Sequence, residues 1–255
     1  MRFAANISTL FTELPFLERF SAAREAGFSG IECWYLDDYP LAEVKAALKD
    51  CGLPLVVFNM PRSGKAGQEW GCAALPGAQA DFNSAFERAA EMAAELNAYG
   101  IHVMAGMVQN SAREEAETVF KANLRHAVDR VGDDGPLLLI EPINSRDVPG
   151  YFLGSSDQAA ALLRALQCRR LKLMFDVYHI QIADGDLTRR LHTYQDIVGH
   201  VQIAAVPDRG EPDRGEINFL SLFSELRACE YRSWIGCEYR PRNSTLEGLD
   251  WLTKF

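Results

Sequence analysis

Short runs of β-branched and aromatic residues alternate with longer stretches of helical period eight times along 255 residues, and few folds accept such a chain. RFAANI (2–7) reads as a strand. Leu14, Leu17, Phe20, Ala23 and Ala26, spaced three apart, read as the helix that follows, ended by Gly27. Further strands are expected at 30–34, 53–59, 101–106, 137–143, 171–179, 199–204 and 234–240. The helices between and after them are expected over about 41–51, 81–98, 112–131, 155–167, 187–194, 217–230 and 245–254. Ser155, Ser156 and Asp157 form a capping cluster at the start of the fifth. Eight βα units in this length predict a single (β/α)8 TIM barrel over residues 1–255, with parallel strands and right-handed crossovers. A doubly wound open sheet shares the alternation, but no GxGxxG follows the first strand and no P-loop lysine motif occurs. Residues 61–79 are too long for an ordinary connection and are expected to form a lid or binding loop, with Trp70 inside it.

Lys and Arg number 26 against 35 Asp and Glu, a formal charge of −9, which argues against a nucleic-acid backbone or an anionic membrane as partner. The longest apolar run, 53–58, falls far short of the roughly 20 residues of a membrane helix. No basic stretch leads into an apolar one at the N-terminus, and the six cysteines lack CxxC spacing, so free thiols in a cytoplasmic protein are expected. Nothing fixes the oligomeric state, and a homo-oligomer stays open.

Function is carried by polar residues placed where apolar strands finish. Glu141 closes LLLIE, Asp176 closes LKLMFD, Gln202 lies in HVQIA and Glu238 follows WIGC, at spacings of 35, 26 and 36 residues, about one βα unit each. One such acid alone is most simply a helix cap or an ion-pair partner. Four consecutive strand ends, on the face where barrels build their active sites, aim four oxygen donors at one point. Carboxylates so gathered repel and take up protons unless a cation offsets them. Three carboxylates and an amide suit a hard divalent ion, Mg²⁺ first and Mn²⁺ second. His179, three residues past Asp176, is expected at the rim of the same strand, facing a substrate hydroxyl, and His200 shares the face of Gln202 as a buried support. His102, His126 and His192 lack such context.

Glu141 and Glu238 come from the first and last of these strands, so they are placed to flank a substrate carbon beside a polarised carbonyl. That is the layout for moving a proton through an enediolate. An anionic substrate then needs a cation, and Arg240, two residues after Glu238, ranks first, Lys65 in the long loop second, with Arg62, Arg209 and Arg214 behind them.

LLIEPIN (138–144), MFDVYHIQ (174–181), GHVQIA (199–204), GEINF (215–219) and IGCEYRP (235–241) resemble the hydroxypyruvate isomerase family of xylose-isomerase-like barrels, as do MRFAANIS, GFSGIECW and CAALPG, so the likeness spans nearly the whole chain. The resemblance implies a divalent metal on Glu141, Asp176, Gln202 and Glu238, Glu141 and Glu238 as the acid/base pair, and His179 as a substrate contact. It implies isomerisation of a small hydroxy-keto acid, hydroxypyruvate or a 2-oxo-tetronate. The same residues also fit a ketose 3-epimerase, and a sugar-acid binding protein without turnover is the rival of another class.

Overall fold

Eight parallel strands pair in sequence order, β1 (Arg2–Asn6), β2 (Gly30–Cys33), β3 (Leu55–Asn59), β4 (Gly100–His102), β5 (Leu137–Ile140), β6 (Leu171–Asp176), β7 (Val198–Ile203) and β8 (Trp234–Cys237). The last returns to the first through Arg2↔Trp234 to Ala5↔Cys237, closing the expected barrel. The computed structural model describes residues 1–254. Parallel neighbours need long crossovers, and these carry α1 (Glu18–Glu25), α2 (Leu41–Cys51), α3 (Gln79–Leu96), α4 (Arg113–Val131), α5 (Ser156–Leu166), α6 (Val177–Ala183), α7 (Leu187–Tyr194) and α8 (Phe219–Ala228). Ser155 caps α5 as anticipated, its hydroxyl accepting from the Gln158 N–H at 3.2 Å.

The fourth, fifth and eighth strands stop at His102, Ile140 and Cys237, short of the expected 106, 143 and 240. The sixth strand does not run to residue 179. It stops at Asp176, whose Oδ1 accepts from the Tyr178 and His179 N–H groups at 2.7 and 3.4 Å and starts α6. Val177, Tyr178, His179 and Ile180 are all buried, so no polar face marks the change from a period of two to 3.6. The last helix is a 3-10 segment, Leu246–Lys254, anchored by buried Trp251, whose Nε1 donates to the Tyr239 hydroxyl at 3.1 Å.

The main core lies between strands and helices. A separate cluster of Ala4, Val56, Val57, Leu139 and Met174, closed by Tyr99, Leu137 and Trp234, draws on β1, β3, β5 and β6 from round the barrel and so fills its interior. Trp234 and Leu137 begin their strands, so this apolar floor lies at the N-terminal end, and the polar residues sit above it. Gly236, paired with Gln202 and Ala4, keeps space there: a Cβ would lie 2.3 Å from both Glu32 carboxylate oxygens. Gly236→Ala is expected to lower the unfolding free energy by about 1–3 kcal/mol in urea titration. An unchanged midpoint would mean that Glu32 moves aside freely.

The two halves of the 61–79 loop behave differently. In the second, Gly71 (φ +95°) passes so close to Met104 that a Cβ would meet its carbonyl oxygen at 2.2 Å. Ala74 N–H then donates to Ala105 O at 2.7 Å, and Asn123 Nδ2 to Ala73 O at 2.8 Å, pinning the chain beside the exit of β4. The first half carries partly exposed Trp70 over the barrel mouth.

Candidate active site

A cavity of about 560 Å³ opens at the C-terminal mouth, lined among others by Trp34, His102, Glu141, His179, Arg209 and Glu238. Asp176 ends β6 and faces Gln202 of β7 in register; Glu141 and Glu238 directly follow β5 and β8. All four are buried. Ligand atoms of Glu141, Asp176 and His179 lie within 4.8 Å of one another, the spacing that a bound metal ion would require. Glu238 joins them through Arg209, whose Nη2 is 2.6 Å from Glu238 Oε1 and 3.9 Å from Asp176 Oδ2. The other Glu238 oxygen accepts from Asn6 Nδ2 at 2.8 Å and Gln202 Nε2 at 3.0 Å.

His179 is not on the strand rim but in the first turn of α6, held there because α6 starts at Asp176. Asn144 Nδ2 and its backbone N–H donate to His179 Nδ1 at 2.6 and 3.4 Å, which leaves the ring proton on Nε2, 3.8 Å from Asp176 Oδ2. A nitrogen that bears its proton is a donor to an oxygen, not a metal ligand. His102 ends β4; its Nδ1 is 3.1 Å from Asn59 Oδ1 and its Nε2 3.6 Å from Glu141. Burial drives His102 down to about 3 and His179 to about 4, so both rings are neutral.

Burial, then Asp176 and Glu238, pushes the Glu141 carboxyl well above the carboxylate range. Burial lifts Glu238 to about 7, against the opposing pull of Arg209. Burial also works against the charge on Arg209, but Glu238, Asp176 and Glu141 outweigh it and hold its pKa above the usual value. In chelator-treated protein, Glu238 binds its proton more tightly folded than unfolded. Its contribution to stability is therefore full below about pH 4.5 and lost as the pH rises to about 7. His102 and His179, shifted down, act in the opposite sense. The Tm of the wild type measured against Glu238→Gln isolates Glu238 and is expected to fall across that window; a constant difference would contradict it.

Three buried carboxyls face one guanidinium, and Gln202 Oε1 is buried with no hydrogen-bond partner among the described residues. Such a set of hard oxygen donors fits a divalent cation.

Lys65 does not line the cavity: it is exposed and ion-paired with Asp81 at 2.6 Å. Arg240 is exposed at the cavity's outer edge, and its N–H donates to Arg209 O at 2.8 Å. The cation that reaches the acids is Arg209, ranked behind both; it turns inward from an irregular loop, at φ +54°, where no periodicity points to it. Asn6 and Glu32, which sequence reasoning did not single out, and His102, for which it found no context, are each polar residues near a strand's C-terminal end, the same pattern that marks Glu141 and Asp176.

A closed parallel barrel with a buried acid cluster at its C-terminal mouth is the architecture of a barrel enzyme. The family model of xylose isomerase-like TIM barrels matches residues 20–255. The chain is 42% identical over 255 residues to the 2-oxo-tetronate isomerase of Cupriavidus necator, covering 100% of this chain and 98% of that protein. It is 37% identical over 256 residues to the hydroxypyruvate isomerase of Escherichia coli, covering 100% and 99%. It superposes with a TM-score of 0.96 on the crystal structure of AP endonuclease, family 2 from Brucella melitensis, at 42% identity over 100% of this chain and 98% of that one. The chain belongs to the hydroxypyruvate isomerase family of xylose isomerase-like TIM barrels, and it is an isomerase.

Proposed function

We propose that the protein interconverts a short 2-keto-3-hydroxy acid and its aldehyde isomer, hydroxypyruvate and tartronate semialdehyde, or carries out the analogous carbonyl shift on a 2-oxo-tetronate. The observation that carries this reading is the pair Glu141 and Glu238, both buried at one cavity, with Glu238 lifted to about 7, where a carboxyl both takes and returns protons. One carboxylate removes a proton from C3, the C–H electron pair forms the C2–C3 double bond, and the ketone oxygen takes the charge of an enediolate. The other glutamic acid returns a proton to C2 while the C3 hydroxyl becomes the aldehyde and its proton passes to the C2 oxygen. Glu141, Asp176, Gln202 and Glu238 would hold Mg²⁺ or Mn²⁺, which would supply positive charge for the two neighbouring substrate oxygens. His179 Nε2–H donates to a substrate oxygen, and Arg209 offers two parallel N–H groups to the substrate carboxylate. Trp70 and the first half of the 61–79 loop act as a lid that excludes water.

If Arg209 is the carboxylate clamp, Arg209→Met raises KM by about 10- to 100-fold, the worth of a charge-assisted hydrogen bond. Arg240→Met, further out, is expected to change KM much less, and the reverse order would return the clamp to Arg240. The reaction itself is tested by proton NMR in deuterium oxide with Mg²⁺, using hydroxypyruvate, a 2-oxo-tetronate and several small ketoses. Carbonyl migration with deuterium entering C2 of the product is expected. Deuterium at C3 without migration would make the protein an epimerase, and binding without any exchange would make it a binding protein.

A further inference from the structure

Below the cavity lies a buried polar network to which the proposed proton transfer gives no part. Glu32 of β2 points into the barrel, where its Oε1 is 2.5 Å from His200 Nε2 and its Oε2 accepts from Gln202 Nε2 at 3.0 Å. Strands β2 and β7 are not neighbours, so both contacts cross the barrel interior. Glu32 is 1% exposed, His200 0%, and Glu32 does not line the substrate cavity.

A side-chain amide has two donors at one end and an acceptor at the other, whereas an ionised carboxylate only accepts. Gln202 Nε2 faces two carboxyl oxygens, Glu32 Oε2 and Glu238 Oε2, each at 3.0 Å. Together they can take both N–H bonds and settle which end of the amide points where. Turned over, the amide would set its oxygen against two carboxyls and present N–H groups where Oε1 now lies. Glu238 alone is a poor anchor, because Asn6 and Arg209 also bind it and because its role in the proposed reaction is to gain and lose a proton. Glu32 has no such second task, and its other oxygen is packed 2.5 Å from His200 Nε2. The result is an amide oxygen kept buried and unpaired, which is unfavourable unless something else binds it.

We propose that Glu32 is a positioning residue that locks the Gln202 amide so that Oε1 is offered to the divalent cation as a neutral donor. This rests on the cation-binding reading given above. Glu32 works through Gln202 and not through its own charge, so its effect disappears when Gln202 is absent.

Mn²⁺ affinity, measured by electron paramagnetic resonance titration, tests this on wild type, Glu32→Leu, Gln202→Ala and the double variant. Glu32→Leu removes the acceptor and is expected to weaken Mn²⁺ binding about 10- to 100-fold, as loss of an outer partner of a metal ligand does. In the Gln202→Ala background the same substitution is expected to change affinity by less than about twofold, because the two residues act as one unit. Equal losses in both backgrounds, or no loss beside Gln202, overturn the proposal. Glu32→Asp keeps the charge but withdraws the acceptor, and it gives the same comparison should Glu32→Leu fold poorly. A second readout needs no metal: the Gln202 side-chain NH₂ signals of the chelator-treated protein, assigned by their absence in Gln202→Ala, are expected to be protected from solvent exchange and to lose that protection in Glu32→Leu. Wild type that binds no Mn²⁺ overturns the cation reading and this inference together. Normal Mn²⁺ binding with NH₂ signals indifferent to Glu32→Leu overturns this inference alone.

Discussion

Glu238→Gln is expected to lower kcat by about 10³-fold or more, within the 10²–10⁴ range of general acid–base catalysis with some loss of charge besides, while the barrel stays folded. Glutamine has the shape of glutamic acid and its carbonyl can still accept from Asn6 Nδ2 and Gln202 Nε2. It can neither take nor return a proton, and its NH₂ would face the Arg209 guanidinium, now 2.6 Å from Oε1. Glu141→Gln is expected to cost a similar factor, because that carboxyl is the only other buried acid lining the cavity among the described residues. The two losses are not additive: both groups serve one proton path, so the double variant falls little below the worse single one. Solvent exchange separates their roles. The variant that lacks the base for C3 loses both turnover and deuterium exchange at C3. The variant that lacks the acid for C2 still washes deuterium into unreacted hydroxypyruvate. Near-normal turnover in either single variant would sink the two-glutamate mechanism.

Stripping divalent ions with a chelator is expected to abolish turnover, at least about 10³-fold, with recovery on adding Mg²⁺ or Mn²⁺. Glu141, Asp176 and Glu238 are buried against a single arginine, and burial already drives Glu141 and Glu238 toward their protonated forms. A protonated Glu141 is no base, so without a second source of positive charge the pair cannot start the reaction. Cation binding requires those protons to leave, and the apparent metal affinity is accordingly expected to rise with pH through the titration of Glu238. Metal content by atomic absorption, followed on the same sample by turnover and by calorimetric titration at two pH values, checks both statements. Full activity in protein shown to carry no metal would remove the cation from the mechanism.

The sequence by itself determined the barrel and the order of its parts. Strand runs at 30–34, 53–59 and 199–204 and helix periods at 41–51 and 112–131 lie within a few residues of the observed elements, because burying one face of a helix or both faces of a parallel strand writes a period into the chain. It also marked four polar residues at strand ends, which lie buried around the barrel mouth with Asp176 and Gln202 in register. Tertiary structure alone decided what those donors touch. Asn144 sets the proton of His179, Asn59 turns His102 toward Glu141, and Arg209 leaves a loop without periodicity to meet Glu238, each through a contact between segments far apart in the chain. Glu32 and Gln202 are 170 residues apart and share no local pattern. Local periodicity records which face of an element is buried; which polar groups meet inside is set by closing the barrel, and a linear pattern carries no trace of that closure.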